Sequence, residues 1–211
     1  ATAIGTNAMY YANNTAVPFT NNNVAVGFEA LRGSATPAAN TGNFNTAIGY
    51  QSLLNNTTGN NNSATGMNGL YSNTIGIWNT ANGMNSMFSN TTGNFNSAFG
   101  AYALDNNTTG SSNTVFGVNA LINNKAGNNA TAIGTNAMYY ANNTATPFTN
   151  NNVAVGFEAL RGSAVASANT GIANTAIGYQ AMLNNTTGQQ NTATGMNGLH
   201  SNTTGIYNTT N

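Results

Sequence analysis

The sequence predicts an all-β fold, a parallel β-solenoid with about one coil per 17- or 22-residue repeat. Three observations carry this. Short tripeptides ending in glycine recur at Gly5, Gly27, Gly49, Gly66, Gly83, Gly100, Gly117, Gly134, Gly156, Gly178 and Gly195, separated by only two step lengths, 17 and 22 residues. Columns counted from those glycines select side chains by volume. The segments between them are short, rich in Gly and Asn, and lack an apolar stripe at helical spacing. A unit of this size cannot bury a core alone and must stack on its neighbours.

A longer period lies above the short one. Shifting the chain by 129 residues lays 1–82 onto 130–211 with 15 differences in 82 positions. The chain therefore reads as one continuous array over 1–211, a 129-residue super-repeat (1–129) followed by part of a second (130–211). The pattern is already running at Ala1 and still running at Asn211, as expected of a window in a longer polymer.

With each glycine as zero, position −2 is Ala in every unit except Val115, as in Ala47, Ala64 and Ala81. Position +3 is always small (Ala30, Ser52, Gly69) and +4 always Leu or Met (Leu53, Leu70, Met87, Leu104, Leu121). Columns restricted by volume belong in a thin core. Asn-Thr-Thr-Gly turns fit two brief strands per coil, with Gly or Asn supplying positive φ cheaply. Stacked coils place like residues ~4.8 Å apart. Asn at −4 (Asn45, Asn62, Asn79, Asn96, Asn113) then forms a ladder of side-chain amides. Position −1 faces away from the core yet is mostly apolar (Ile48, Phe99, Phe116), as is +1 (Phe28, Tyr50, Met67). A strand apolar on both sides is normally covered on both. Lateral packing of several chains follows.

Composition narrows the function. Only Arg32, Lys125, Arg161, Glu29, Asp105 and Glu158 are charged, and His200 is the single imidazole. This neutrality leaves no electrostatic footprint for nucleic acid or an anionic membrane. No apolar run approaches the ~20 residues that span a bilayer. Without cysteine there is no disulfide or thiolate metal site, and Asp105 alone builds no calcium cluster. No cofactor or metal site and no catalytic residue is expected, because the titratable groups are too few to furnish one in each unit. Sequons at Asn56, Asn90, Asn107, Asn185 and Asn202 become glycans only where a glycosylation machinery meets them.

The motif N-T-A-I-G at 45–49 and 174–178, with N-S-A-F-G at 96–100 and N-T-V-F-G at 113–117, resembles the repeats of YadA-type trimeric autotransporter adhesin heads. The phrase G-Y-Q-A-M-L-N-N-T-T-G at 178–188 is similar to repeats of bacterial and phage tail-fibre-like proteins. The resemblance implies a left-handed parallel β-roll, assembled as a homotrimer on a cell or virion surface. The unit here is longer than that of the adhesin heads.

The 22-residue units place their extra residues in loops at 10–22 and 33–39, and again at 139–151 and 162–168. Insertions in a solenoid map to one face, often the binding face. These loops gather Tyr10, Tyr11 and Phe19 beside Glu29 and Arg32, and Tyr139, Tyr140 and Phe148 beside Glu158 and Arg161. Paired tyrosines can stack on a sugar ring. The plainer reading is that the loops brace the rod and each Glu/Arg couple is an ion pair. The expectation is thus a non-enzymatic structural component of an extracellular fibre whose partner is itself. An adhesin or tail fibre binding glycans through the aromatic loops is the alternative. Ice binding by Thr57, Thr91 and Thr108 is a weaker third.

Overall fold

The computed structural model describes residues 1–12 and 20–211. Its strands are β1 (Thr2–Ile4), β2 (Val24–Val26), β3 (Thr46–Ile48), β4 (Ser63–Thr65), β5 (Thr80–Asn82), β6 (Ser97–Phe99), β7 (Thr114–Phe116), β8 (Gly127–Asn128), β9 (Thr131–Ile133), β10 (Phe148–Thr149), β11 (Val153–Val155), β12 (Thr175–Ile177), β13 (Thr192–Thr194) and β14 (Thr209–Thr210). Twelve of them form one parallel sheet in chain order, and β8 pairs with β10 beside it. The register is unit on unit: Thr46, Ala47 and Ile48 lie opposite Ser63, Ala64 and Thr65. Each repeat is therefore one coil of a parallel β-solenoid.

The volume-restricted columns line the interior. Ala25, Ala47, Ala64, Ala81 and Ala98 are fully buried at −2, as are Leu53, Leu70, Met87, Leu104 and Leu121 at +4. Small residues at −2 let the two limbs approach closely, and the long aliphatic at +4 fills the space between them.

The second limb is not a strand. Residues at +2 and +4 are left-handed, with Gln51 and Leu53 at φ 52°, Asn68 at 57° and Leu70 at 50°. The two positions bond in opposite directions along the axis. Asn68 N donates to Tyr50 O of the preceding coil (2.9 Å), and Leu70 N to Ser86 O of the following one (3.0 Å). Most coils thus carry a single short strand, only those of Gly117 and Gly134 adding β8 and β10, and backbone hydrogen bonding on the second limb survives without β geometry. The left-handed conformation costs a Leu or Met about 1 kcal/mol. Burial of the side chain, about 2 kcal/mol, outweighs it.

Positive φ also falls elsewhere than in the Asn-Thr-Thr-Gly turns. The motif glycines carry it; at Gly83 (φ +136°) an added Cβ would sit 2.6 Å from Gly100 O of the next coil. The turn glycine Gly76 has no such φ, but a Cβ there would meet Gly93 O at 2.5 Å. The first glycine is required by conformation and space, the second by space alone.

Two asparagine ladders run inside the solenoid. At −4, Asn62 Oδ1 accepts from both Asn79 N (3.0 Å) and Asn79 Nδ2 (3.2 Å), while Asn79 Nδ2 also reaches Gly93 O (2.8 Å). The second ladder stands at +7, where Asn73 Nδ2 donates to Asn56 Oδ1 (2.8 Å) and Asn90 Nδ2 to Asn73 Oδ1 (2.8 Å). The −4 ladder is interrupted at Ala130, whose backbone N takes the free oxygen of Asn113 (3.0 Å). Beyond the break Asn150 Oδ1 caps Asn152 N (3.1 Å), and the ladder resumes from Asn152 to Asn174.

Candidate functional site

The 22-residue units build their loops from a few local devices. Arg32 and Arg161 end the ordinary coil path, and Gly33 and Gly162 (both φ +79°) turn the chain outward. A single 3-10 turn follows at Pro37–Ala39 and at Ala166–Ala168. One asparagine then closes each loop. Asn40 Oδ1 accepts from Ser34 N (3.0 Å), and its Nδ2 donates to Ser34 O (2.9 Å) and to Tyr11 O of the preceding coil. Asn169 repeats this with Ser163 and Tyr140.

Beside these loops, the charges pair with one another, although the buried Nε of Arg32 and of Arg161 has no partner among the described residues. Arg32 meets Glu29 at 3.0 Å and Arg161 meets Glu158 at 3.3 Å. The second carboxylate oxygen accepts from the next coil, from Gln51 Nε2 or Gln180 Nε2, each at 2.7 Å. The Gln51 hydrogen bond, followed by the Arg32 hydrogen bond and charge, holds the Glu29 carboxyl below its ordinary value against a desolvation that raises it. Engaged at both oxygens, the Glu29 and Glu158 carboxylates are braces between coils.

The aromatic residues divide. Tyr10 and Tyr11 meet edge to face at 4.8 Å, with the Arg32 guanidinium 6.0 Å from the Tyr11 ring centre. Tyr139 and Tyr140 repeat the edge contact at 4.7 Å. Together with Glu158, Arg161, Asn119 and Asn136 they line an open cleft of about 240 Å³. Phe148 is not among the residues lining it; it lies in β10, with its ring against Gly127 of β8. Phe19 falls outside the described residues.

Two other candidates change meaning. The sequon asparagines are rungs of the inner ladder: Asn90 and Asn107 are fully buried, and each Nδ2 is hydrogen-bonded to a neighbouring asparagine. A glycan on either nitrogen is incompatible with the folded coil. The hydroxyls of Thr57, Thr91 and Thr108 donate to Thr74 O, Thr108 O and Lys125 O of the following coils at 3.0 Å. They brace the turn and present no free donor to a water lattice.

An exposed apolar surface lies on the outer side of the sheet. Ile48, Tyr50, Met67, Met84, Phe116 and Val118 of the −1 and +1 columns are each more than a third exposed. Aromatic pairs stack along it: Phe28 on Tyr50 (5.3 Å), Phe99 on Phe116 (4.6 Å) and Phe157 on Tyr179 (5.4 Å). A second exposed row, at −5, holds Phe44, Trp78, Phe95 and Tyr207. Column analysis missed this row because its residue types vary from coil to coil; a count of aromatics at fixed offsets would have found it. No protein-family model, curated protein or solved structure matches this chain.

Proposed function

We propose that the chain is a non-enzymatic structural component of an extracellular fibre, on a cell or virion surface, in which copies pack laterally as a homotrimer. The observation that carries this reading is the continuous apolar stripe of the −1 and +1 columns. Exposed patches of that length mark association surfaces. A copy of the same chain is a fitting occupant, because its side chains repeat with the same axial step. Neutral charge adds no repulsion between copies, and coils held by hydrogen bonds need no disulfide. Mass per unit length, measured on assembled filaments, tests it. Three chains per cross-section are expected, falling to one when Ile48 and Phe116 are both changed to Asp. One chain per cross-section in the unaltered protein, with Ile48 and Phe116 open to water, would contradict the proposal.

An adhesin or tail-fibre role through the loops remains a second reading. The cleft around Tyr139 and Tyr140 favours it, since it joins ring faces to polar groups at a solvent-open site. Glycan binding that disappears with Tyr10→Ala and Tyr139→Ala is its test.

A further inference from the structure

The −5 row sits at the corner just before position −4 of each coil, and from Phe44 to Tyr207 every residue in it is left-handed. Phe44, Trp78 and Phe95 have φ of 58° and Asn61 has 57°. In other coils the same corner holds Ser112, Asn129, Asn151 or Ala173. Asparagine tolerates this conformation, whereas for a bulky aromatic it is an outlier. Unlike the left-handed leucines of the core, these aromatics are not compensated by burial: Phe44 is 59% exposed, Trp78 56% and Phe95 58%. None of the three stacks on another ring among the described residues, in contrast to the Phe28–Tyr50 and Phe99–Phe116 pairs. Backbone strain without a gain inside the molecule directs attention to a contact outside it.

We propose that Phe44, Asn61, Trp78 and Phe95 form a platform on which a short stretch of neutral, extended glycan lies along the solenoid axis. The four occupy successive coils, so the platform is straight, one residue wide and about 14 Å long at the strand spacing. Those dimensions suit a linear ligand three or four sugars long better than the broad face of a folded protein. Aromatic rings offer apolar faces to the C–H faces of pyranose rings. Between Phe44 and Trp78, the Asn61 side chain has no hydrogen-bond partner among the described residues, which leaves an amide for a sugar hydroxyl. None of the six charged side chains lies in this row, so no uronate or sulfate is called for. The second block supplies a natural comparison, because Ala173 and Gln190 stand where the first block has Phe44 and Asn61.

Trp78 is the only tryptophan, so its fluorescence reports this platform alone. The intact chain is titrated with neutral hexasaccharides: cellohexaose, xylohexaose, mannohexaose and chitohexaose. A saturable change in Trp78 emission is expected with at least one of them. Binding of that sugar, followed by calorimetry, should weaken about ten-fold in Phe95→Asn and in Trp78→Asn, the effect of losing one stacked ring. Asparagine suits the left-handed corner, so both variants should melt no lower than the parent. Tyr139→Ala should leave binding unchanged, which separates this platform from the loop cleft. No saturable response to any of the four sugars would overturn the proposal. So would binding lost in Tyr139→Ala but kept in Trp78→Asn. A fall in chains per filament cross-section in Trp78→Asn, without a change in sugar binding, would assign the row to a second copy instead.

Discussion

Asp105 occupies a column that the adjacent coils fill with Phe88 and Ile122. It is half-buried, its Oδ1 has no hydrogen-bond partner, and no cation pairs with it among the described residues. Desolvation alone pushes its pKa up from 3.8 to about 6. A raised carboxyl pKa means that the fold favours the protonated form. Stability is then greatest below the ordinary value near 4 and declines as pH rises through about 6. Asp105→Asn should remove that decline, stabilising the protein by about 2 kcal/mol at pH 8 and little at pH 4. Denaturant unfolding of both forms across this range checks the prediction; a parallel offset at every pH would contradict it. The sequence identified Asp105 as an isolated carboxylate but not as a strained one, since burial of its column depends on how the second limb coils. The same blind spot hid the left-handed Leu53 and Leu70. Residue type advertised their volume, and volume says nothing of φ.

Between coils, the ladder is the unit of cohesion. Asn79 Oδ1 accepts from Asn96 N and Nδ2, at 3.0 and 3.2 Å, and Asn79 Nδ2 links to Asn62 and Gly93. Asn79→Ala would leave buried donors and an acceptor without partners, at a cost of about 2–4 kcal/mol. In a solenoid that loss is local. Amide exchange should accelerate in the coils around β5 while those around β12 keep their protection. Uniform loss of protection would show that the array unfolds as one unit. The −4 ladder was legible because its asparagine recurs without exception where a rung exists. The +7 ladder was disguised by its company: Asn-Asn-Thr-Thr-Gly reads as a polar turn and as a sequon. Its inward direction follows from the tight approach of Gly59 and Gly76 to their neighbours, which no single unit displays. The expectation of two strands per coil failed outside the β8–β10 pair for a related reason. Small and long residues at +3 and +4 indicate burial, and burial is compatible with an alternating-hand backbone as well as with a pleat.

Across the whole molecule, the two periods become lengths. One strand per repeat stands in the main sheet, and the first block supplies β1 to β7. Seven coils at ~4.8 Å give an axial spacing of about 34 Å. Averaged images of filaments should show that repeat, with two adjacent bulges from the 22-residue units and a smooth shaft of 17-residue coils between them. A spacing near half this value would remove the one-coil assignment from the assembled state. The bulges fall in the stretch where Ala130 interrupts the ladder and β8 pairs with β10, so decoration and internal discontinuity coincide.

The rungs also all point the same way. Where side-chain amides link rung to rung in either ladder, the hydrogen is directed at the oxygen of the preceding coil, from Asn62 to Asn45, from Asn73 to Asn56, and again from Asn191 to Asn174 after the break. The rod is therefore an arrow. Backbone groups bond in both axial directions, but the ladder side chains offer carbonyl oxygens at one tip and N–H groups at the other, so extension at the two tips is chemically different. Three copies arranged about a common long axis keep their arrows aligned, whereas a two-fold axis across the rod would set them against one another. A fibre of the first kind has a head and a tail, and a particle attached to the amino terminus would mark the same end of every strand in it.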